Sequence, residues 1–436
     1  MRLVALALAA TALAHAPALW GGFLYDDLRD IVANPAAQAT TFLERLPHTV
    51  RPLLKASYAL QDAVHGVNAA AFHAVNIGLH LGAVVLVFLL VRRGVELAGL
   101  EDRANRIAIL ATLLWSLHPA LTDTVSYVSG RSSGLSGLLV LAALVAATGR
   151  KARPWLAFLC AALAPLARET ALVAPLLLLV FQATVGRGQP GSLRRAAPVW
   201  AGALVAAAVL AAMASHRDLV SFSLTTRGPL DALRANVFAL PEALRLWLMP
   251  WEISILPRQP VIHGWDDPPT LIRSAALAFV TAAAIALRKR WPVVALAVLW
   301  TLMAMLPTNS VIWRVDPLAL RPLYLAGIGL ALLAALALAR LPLVLGLAVA
   351  AALGTMSWDR ATLYQDEVAL FADATVKSPN EARTHLMYGL TLANTGQVAE
   401  ARRVLEQALR LDPFLSEATN ALRLLDAAAP VYSDPP

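Results

Sequence analysis

The 436-residue sequence contains one cysteine, Cys160, inside an apolar run. A lone thiol excludes an internal disulfide and any Cys-based metal site, which leaves packing as its role. Charge is also scarce. Asp, Glu, Lys and Arg make up 15% of the chain, where a soluble domain carries about a quarter. There is no glycine-rich phosphate loop, no nucleophile elbow in Ser-His-Asp order and no zinc-ligand spacing. The basic loops are too short to hold an ATP-binding module, so the energy for any reaction must arrive within the substrate.

What fills the chain is hydrocarbon. Hydrophobic residues make up 58% and mean hydropathy is +0.63, with apolar runs long enough to cross about 30 Å of lipid. The pattern predicts an all-α, polytopic membrane bundle of about 11 spans: 2–19, 72–91, 105–118, 133–149, 154–167, 169–185, 197–214, 271–287, 291–307, 321–339 and 341–357. Pro165 and Pro175 fit within spans whose freed carbonyls meet neighbouring helices. Ala14-His15-Ala16 has the form of a signal-peptidase site, but Pro17 behind it and a single Arg before the run favour a retained first span.

The formal charge of +8 and pI near 10 would suggest nucleic acid in a soluble protein. Here the cations sit in alternate short loops: Arg92-Arg93 with Arg103 and Arg106, Arg150-Lys151 with Arg153, Arg187 with Arg194-Arg195, Arg288-Lys289-Arg290, and Arg340. Placing these in the cytoplasm puts the N-terminus inside, probes of orientation rather than nucleic-acid contacts. Loop 20–71 holds four basic against five acidic residues and loop 215–270 five against six, so both belong on the far side, with everything after 357. The implied setting is a bacterial inner membrane. Segment 234–251 reads as an interfacial helix with Trp247 and Trp251 at headgroup level, since another crossing would invert every later cluster.

The boundaries that follow are 1–357 for the membrane domain, 358–428 for a small helical domain and 429–436 for a disordered tail. Pro379 and Pro413 lie 34 residues apart, the tetratricopeptide period. That register puts Tyr388, Gly389, Ala401, Leu405 and Ala408 at packing positions and Gly396-Gln397 at the turn. Single helices at 362–376 and 415–427 flank one full repeat, too few to stand without support from the membrane domain.

Polar residues gather on the far side. Asp26 and Asp27 follow the first span directly, and carboxylates beside a membrane face need solvation, a cap or a use. Asp27 could cap a short helix with Asp30 in its first turn; the alternative is a catalytic base. His73, Asn76 and His80 form one stripe of the second span, a pattern that faces a polar cavity. His118, Asp123, Arg131, Arg168, Glu169, Arg321 and Tyr324 fall at far-side turns, with Arg51 in the first loop. Arginine matches phosphate oxygens bidentately, so several near one membrane face suit a lipid-phosphate substrate, against headgroup snorkelling for any one of them. Asp266-Asp267 before two prolines reads as a turn or an N-cap for the eighth span.

Tyr25-Asp26-Asp27, Arg51-Pro52-Leu53, Phe72-His73-Ala74-Val75-Asn76 with His80, Leu117-His118-Pro119 through Tyr127-Val128-Ser129-Gly130-Arg131, Arg168-Glu169 and Arg321-Pro322-Leu323-Tyr324 occur in that order. This order resembles the multispanning O-mannosyltransferases with C-terminal tetratricopeptide repeats, and their bacterial relatives, of the GT-C glycosyltransferase class. The resemblance covers nearly the whole chain. It implies a polyprenyl-phosphate sugar donor, a hydroxyl acceptor (protein Ser or Thr) outside the cytoplasm, and a catalytic acid pair matching Asp26 and Asp27. On this reading Asp26 is the general base with Asp27 as orienter or alternative base. Arg131 and Arg321, then Arg168 and Arg51, hold the phosphate; His73, Asn76, His80, His118, Asp123, Glu169 and Tyr324 line the cavity. A divalent metal at Asp26 and Asp27 is left open. Two departures stand out: the repeat array is short, and Arg168-Glu169 replaces the usual Lys-Glu. The competing expectations are a lipid-linked glycan ligase or polymerase, and a membrane scaffold docking partners through the repeat.

Overall fold

A computed structural model describes residues 2–187, 191–226, 228–308 and 316–428. The expected tail at 429–436 lies outside these. Among the described residues every regular element is helical. The helices are α1 (Arg2–His15), α2 (Pro52–His65), α3 (Ala69–Leu97), α4 (Glu101–Ser116), α5 (Arg131–Thr148), α6 (Pro154–Ala167), α7 (Ala174–Thr184), α8 (Ser192–Ala212) and α9 (Ala214–Thr226). They continue with α10 (Pro229–Leu248), α11 (Pro268–Leu287), α12 (Pro292–Met305), α13 (Leu323–Leu338), α14 (Leu343–Leu363), α15 (Glu367–Lys377), α16 (Ala382–Asn394), α17 (Val398–Leu411) and α18 (Ser416–Ala428).

Local chemistry accounts for many of the starts. Pro52, Pro154, Pro229, Pro268 and Pro292 each open a helix at a position where no backbone donor is needed. Asn68 caps α3 by accepting from the Ala71 amide, and Glu101 and Asp102 sit at the positive end of α4. At 29 residues α3 is the longest helix, about 44 Å at 1.5 Å per residue.

Among the described residues five helices are long and apolar enough to cross a membrane: Arg2–Trp20, Ala69–Leu97, Val128–Thr148, Ser192–Ala212 and Pro268–Leu287. Pro154–Ala167, Glu169–Thr184, Pro292–Met305 and Leu323–Leu338 are apolar but shorter. Helices α4 and α14 overlie the other two expected spans and carry charges at one end. The protein is therefore a helical membrane protein, and five of its eleven expected spans reach crossing length among the described residues.

One apolar core runs through the bundle, with α3, α4, α5 and α13 at its centre and α6 packed between α5 and α8. Helix α14 runs unbroken past residue 357, so the change of composition at Trp358 falls inside a helix rather than at a domain joint. Residues 234–248 of that segment belong to α10, but Trp247 is not at a headgroup surface. It is 7% exposed and stacks on His118 at 3.7 Å between ring centroids. The apolar face of α10 is taken up by the bundle, which sequence periodicity alone could not distinguish from burial in lipid. Trp251 is exposed.

Helices α16 and α17 form a hairpin whose turn holds Gly396 at φ +80°, a left-handed conformation glycine adopts without strain. Ala401, Leu405 and Ala408 are fully buried in it, and Gly389 lies against Leu405.

Candidate functional site

Residues 21–27 leave the end of the first helical run as a tight turn. Gly21 is required there, because a Cβ would meet the Tyr364 carbonyl oxygen at 2.6 Å. Tyr25 adopts φ +46°, an uncommon conformation for a residue with a side chain. The turn sends the two adjacent carboxyls in different directions. Asp26 lines a cavity of about 1130 Å³, its amide donates to the Tyr127 hydroxyl at 2.9 Å, and its carboxylate accepts from Arg29 at 3.3 Å. Burial raises its pKa above the ordinary carboxylate value.

Asp27 is fully buried and is not part of the cavity wall. It precedes a helical turn at Leu28–Val32 but makes no side-chain cap to it. Its oxygens accept from the Leu24 amide at 3.3 Å and from the Ser129 amide and hydroxyl at 2.7 and 2.5 Å. Burial outweighs these donors and pushes its pKa up to about 7. Asp27 therefore ties the first loop to the 122–131 segment, which corrects the cap reading.

Around the cavity stand six arginines (29, 51, 168, 217, 321 and 383) and four carboxylates (Asp26, Asp123, Glu169 and Asp316). The Arg51 Nε donates to both Glu169 oxygens at 3.0 and 3.1 Å, and His216 approaches the same carboxylate at 3.3 Å. Arg321 pairs with Asp123 at 3.3 Å and lies over the Tyr127 ring at 5.3 Å. Arg168, at an extended break between α6 and α7, donates to Ser132 at 2.9 Å. The wall also carries an apolar set, Leu172, Leu210, Val220, Leu224 and Leu325, beside hydroxyls such as Ser133, Ser136 and Thr170. A positively biased end beside a hydrocarbon wall has the character of a site for an amphiphile with an anionic head.

Several expected site residues lie elsewhere. Arg131 is 1% exposed; it donates to Asn76 Oδ1 at 2.8 Å and to the Phe72 carbonyl at 3.0 Å, with its guanidinium over the Tyr58 and Phe72 rings. Every favourable approach to that cation is occupied by protein, so it does not reach the cavity. The stripe of α3 is likewise internal. His73 meets the Gly22 carbonyl, Asn76 donates to the Tyr127 carbonyl, and His80 contacts the Tyr324 hydroxyl and the Ser116 carbonyl. His118 meets the Trp247 carbonyl and caps the following turn through Ala120. These four were expected to line the cavity and instead join the first loop, α3, α4 and α10 by buried hydrogen bonds. Asp123, Glu169 and Tyr324 do line it, as do Asp26, Arg51, Arg168 and Arg321.

His216 and Arg383 are also in the wall without having been singled out from sequence. His216 sits in a loop by pattern, and Arg383 belongs to the C-terminal helices more than 300 residues from Asp26. No local signal marks either. Asp266-Asp267 forms the expected turn, with Asp267 accepting from the Gly264 amide at 2.8 Å.

A bridging metal does not fit the acid pair. Asp27's oxygens already serve three protein donors away from the cavity. Among the described residues no three His, Cys, Asp or Glu side chains are grouped to hold an ion.

The fold and cavity define a helical membrane protein with a charged, amphipathic site beside its first loop. The protein O-mannosyl-transferase F38B6.6 of Caenorhabditis elegans is 22% identical over 429 residues, covering 91% of this chain and 60% of that protein. Mouse protein O-mannosyl-transferase TMTC4 is 34% identical over 146 residues, 28% of this chain and 19% of that protein. Drosophila melanogaster protein O-mannosyl-transferase Tmtc1 is 32% identical over 177 residues, 36% of this chain and 20% of that one. The chain thus spans 60% of the length of the first of these relatives and matches about a fifth of the other two. No family model matches the sequence, and no solved structure matches it.

Proposed function

We propose that the protein is a GT-C-type membrane glycosyltransferase that moves a sugar from a polyprenyl-phosphate donor to a protein hydroxyl on the extracytoplasmic side. The observation that carries this is the meeting of Asp26, Arg321, Arg168 and Arg51 in one cavity with a hydrocarbon wall. Similarity to proteins named O-mannosyl-transferases supports transfer to protein, with mannose as the first sugar to test.

Asp26 takes the proton of the acceptor hydroxyl as its oxygen attacks the anomeric carbon. The bond from that carbon to the phosphate oxygen breaks, and the phosphate leaves with the electron pair. Arg321 and Arg168 meet the charge that develops on it, while Arg51 is held by Glu169 at the same end. Proton transfer that lags behind bond cleavage suits a carboxylate of modest basicity. The acceptor recognised by the C-terminal repeat is protein in this scheme, and the site lies outside an inner membrane with the N-terminus in the cytoplasm.

The test is mannose transfer from radiolabelled polyprenyl-phosphate mannose to protein in membranes of a producing strain. Wild type is compared with Asp26→Asn and Asp27→Asn at matched amounts of folded protein. Asp26→Asn is expected to lose transfer by at least a hundredfold. Wild-type rates from Asp26→Asn would remove it as the base.

A further inference from the structure

Tyr25, the residue before Asp26, is held by the C-terminal helices through its ring and its hydroxyl, with a carboxylate beside its amide. The Glu367 carboxylate faces its backbone amide. Its ring meets Phe371 edge-on, with centroids 5.5 Å apart and planes at 85°. Its hydroxyl accepts from Arg383 Nη2 at 3.4 Å, while Nη1 of the same guanidinium donates to Asp316 at 2.7 Å. Phe371 is fully buried, so the ring contact is part of a packed interior.

The grip falls on the strained residue. A side chain at φ +46° is strained and persists only where its surroundings over-determine it. A turn released from these contacts would relax toward an ordinary conformation and carry Asp26 with it. The neighbouring anchors come from the same direction. The Tyr364 carbonyl lies under Gly21, and Gln365 donates to the Pro17 carbonyl at 2.8 Å. From the membrane side, Tyr127 holds the Asp26 amide, Ser129 the Asp27 carboxylate and His73 the Gly22 carbonyl, and none of these contacts touches Tyr25 itself.

We infer that Glu367, Phe371 and Arg383 are positioning residues for Asp26, acting through Tyr25, and that the C-terminal helices are a structural part of the reaction site as well as a surface for acceptors. This rests on Asp26 being the base. Glu367 and Phe371 stand outside the cavity wall, so their substitution changes no contact with substrate. A displacement of about 1 Å at a reacting group costs about a hundredfold in rate.

The full-length protein in lipid nanodiscs would be compared as wild type, Glu367→Ala, Glu367→Gln and Phe371→Ala. Two quantities are read: amide hydrogen exchange over residues 21–30, and mannose transfer at varied polyprenyl-phosphate mannose. Glu367→Ala and Phe371→Ala are expected to speed exchange in 21–30 at least tenfold and to lower kcat ten- to a hundredfold, with the donor KM within threefold. Glu367→Gln keeps an oxygen facing the Tyr25 amide and is expected to stay near wild type in both. Unchanged exchange over 21–30 in the two alanine variants, or faster exchange with full turnover, overturns the inference. Full turnover by Asp26→Asn, with exchange still speeded by Glu367→Ala, would instead sink the assignment of the base and leave the grip standing. Because Phe371→Ala removes a fully buried ring, the half-buried Glu367→Ala decides the outcome if Phe371→Ala fails to fold.

Discussion

Asp27 sits where a carboxylate is least at ease, fully enclosed and next to a second acid. With its pKa pushed to about 7 by burial, the folded state holds a proton that the unfolded chain releases near 3.8. Stability from this group is complete below the unfolded value and falls as pH rises through about 7, by a few kcal/mol at most. The thermal midpoint of the detergent-solubilised protein is expected to drop between pH 5 and pH 8, and Asp27→Asn to flatten that slope. Asp26 is shifted in the same direction by burial, so kcat/KM should rise with pH along a limb that lies above the ordinary carboxylate range. A limb that survives in Asp26→Asn would belong to another group. Arg131 and Arg321 make a contrasting pair. Arg131→Gln leaves the Phe72 carbonyl and Asn76 without their charged donor, at about 1.5–3 kcal/mol per bond, so lower folded yield and thermal midpoint are expected. Arg321→Gln is expected to raise the donor KM or lower kcat at nearly normal yield. Size-exclusion profiles alongside kinetics separate the two.

Among the helices, the joint between α10 and α13 shows most clearly what tertiary packing demands. Trp247 of α10 lies over Gly327 of α13 so closely that a Cβ there would meet the indole at 2.4 Å. On its other contacts the indole stacks on His118. Gly327→Ala must therefore displace a large ring, an overpacking cost of about 1–3 kcal/mol, and is expected to lower the thermal midpoint by several degrees. Trp247→Phe in the same background is expected to restore part of the loss by giving back volume. The identity of most helices was legible from apolar runs, and the interfacial reading of 234–251 correctly located a helix. Its buried side was not legible, because an amphipathic stripe looks the same whether it meets lipid or protein.

For the whole molecule, the basic clusters and the acidic loops make one prediction about orientation. In a Cys160→Ala background, single cysteines replacing Glu44 and Gln407 are expected to react with a membrane-impermeant maleimide from outside. One replacing Lys289 should react only after permeabilisation. Opposite labelling at positions 44 and 407 would break the scheme that puts the first loop and the C-terminal helices on one side, and with it the contact between Tyr25 and Arg383. A common side is what lets residues more than 300 positions apart share a wall.

The membrane class and the helices were written in local features: hydrocarbon run length, proline and Asn starts, and the alternation of charge between loops. The C-terminal helical hairpin was legible too, because its buried positions recur with a helical period. Which polar residues face the cavity was decided only by the tertiary structure. Asp26 and Asp27 are adjacent in sequence with the same chemistry, and a single turn held by Tyr127, Ser129 and the C-terminal helices sends one to the cavity and buries the other. Arg131 and Arg321 looked alike as cations at a membrane face, and the arrangement of partners around each made one a packing element and left the other at the site. Sequence specifies which groups a chain carries and on what helical face. Only packing, which closes long-range contacts at a cost in chain entropy, determines which of those groups are already satisfied by protein.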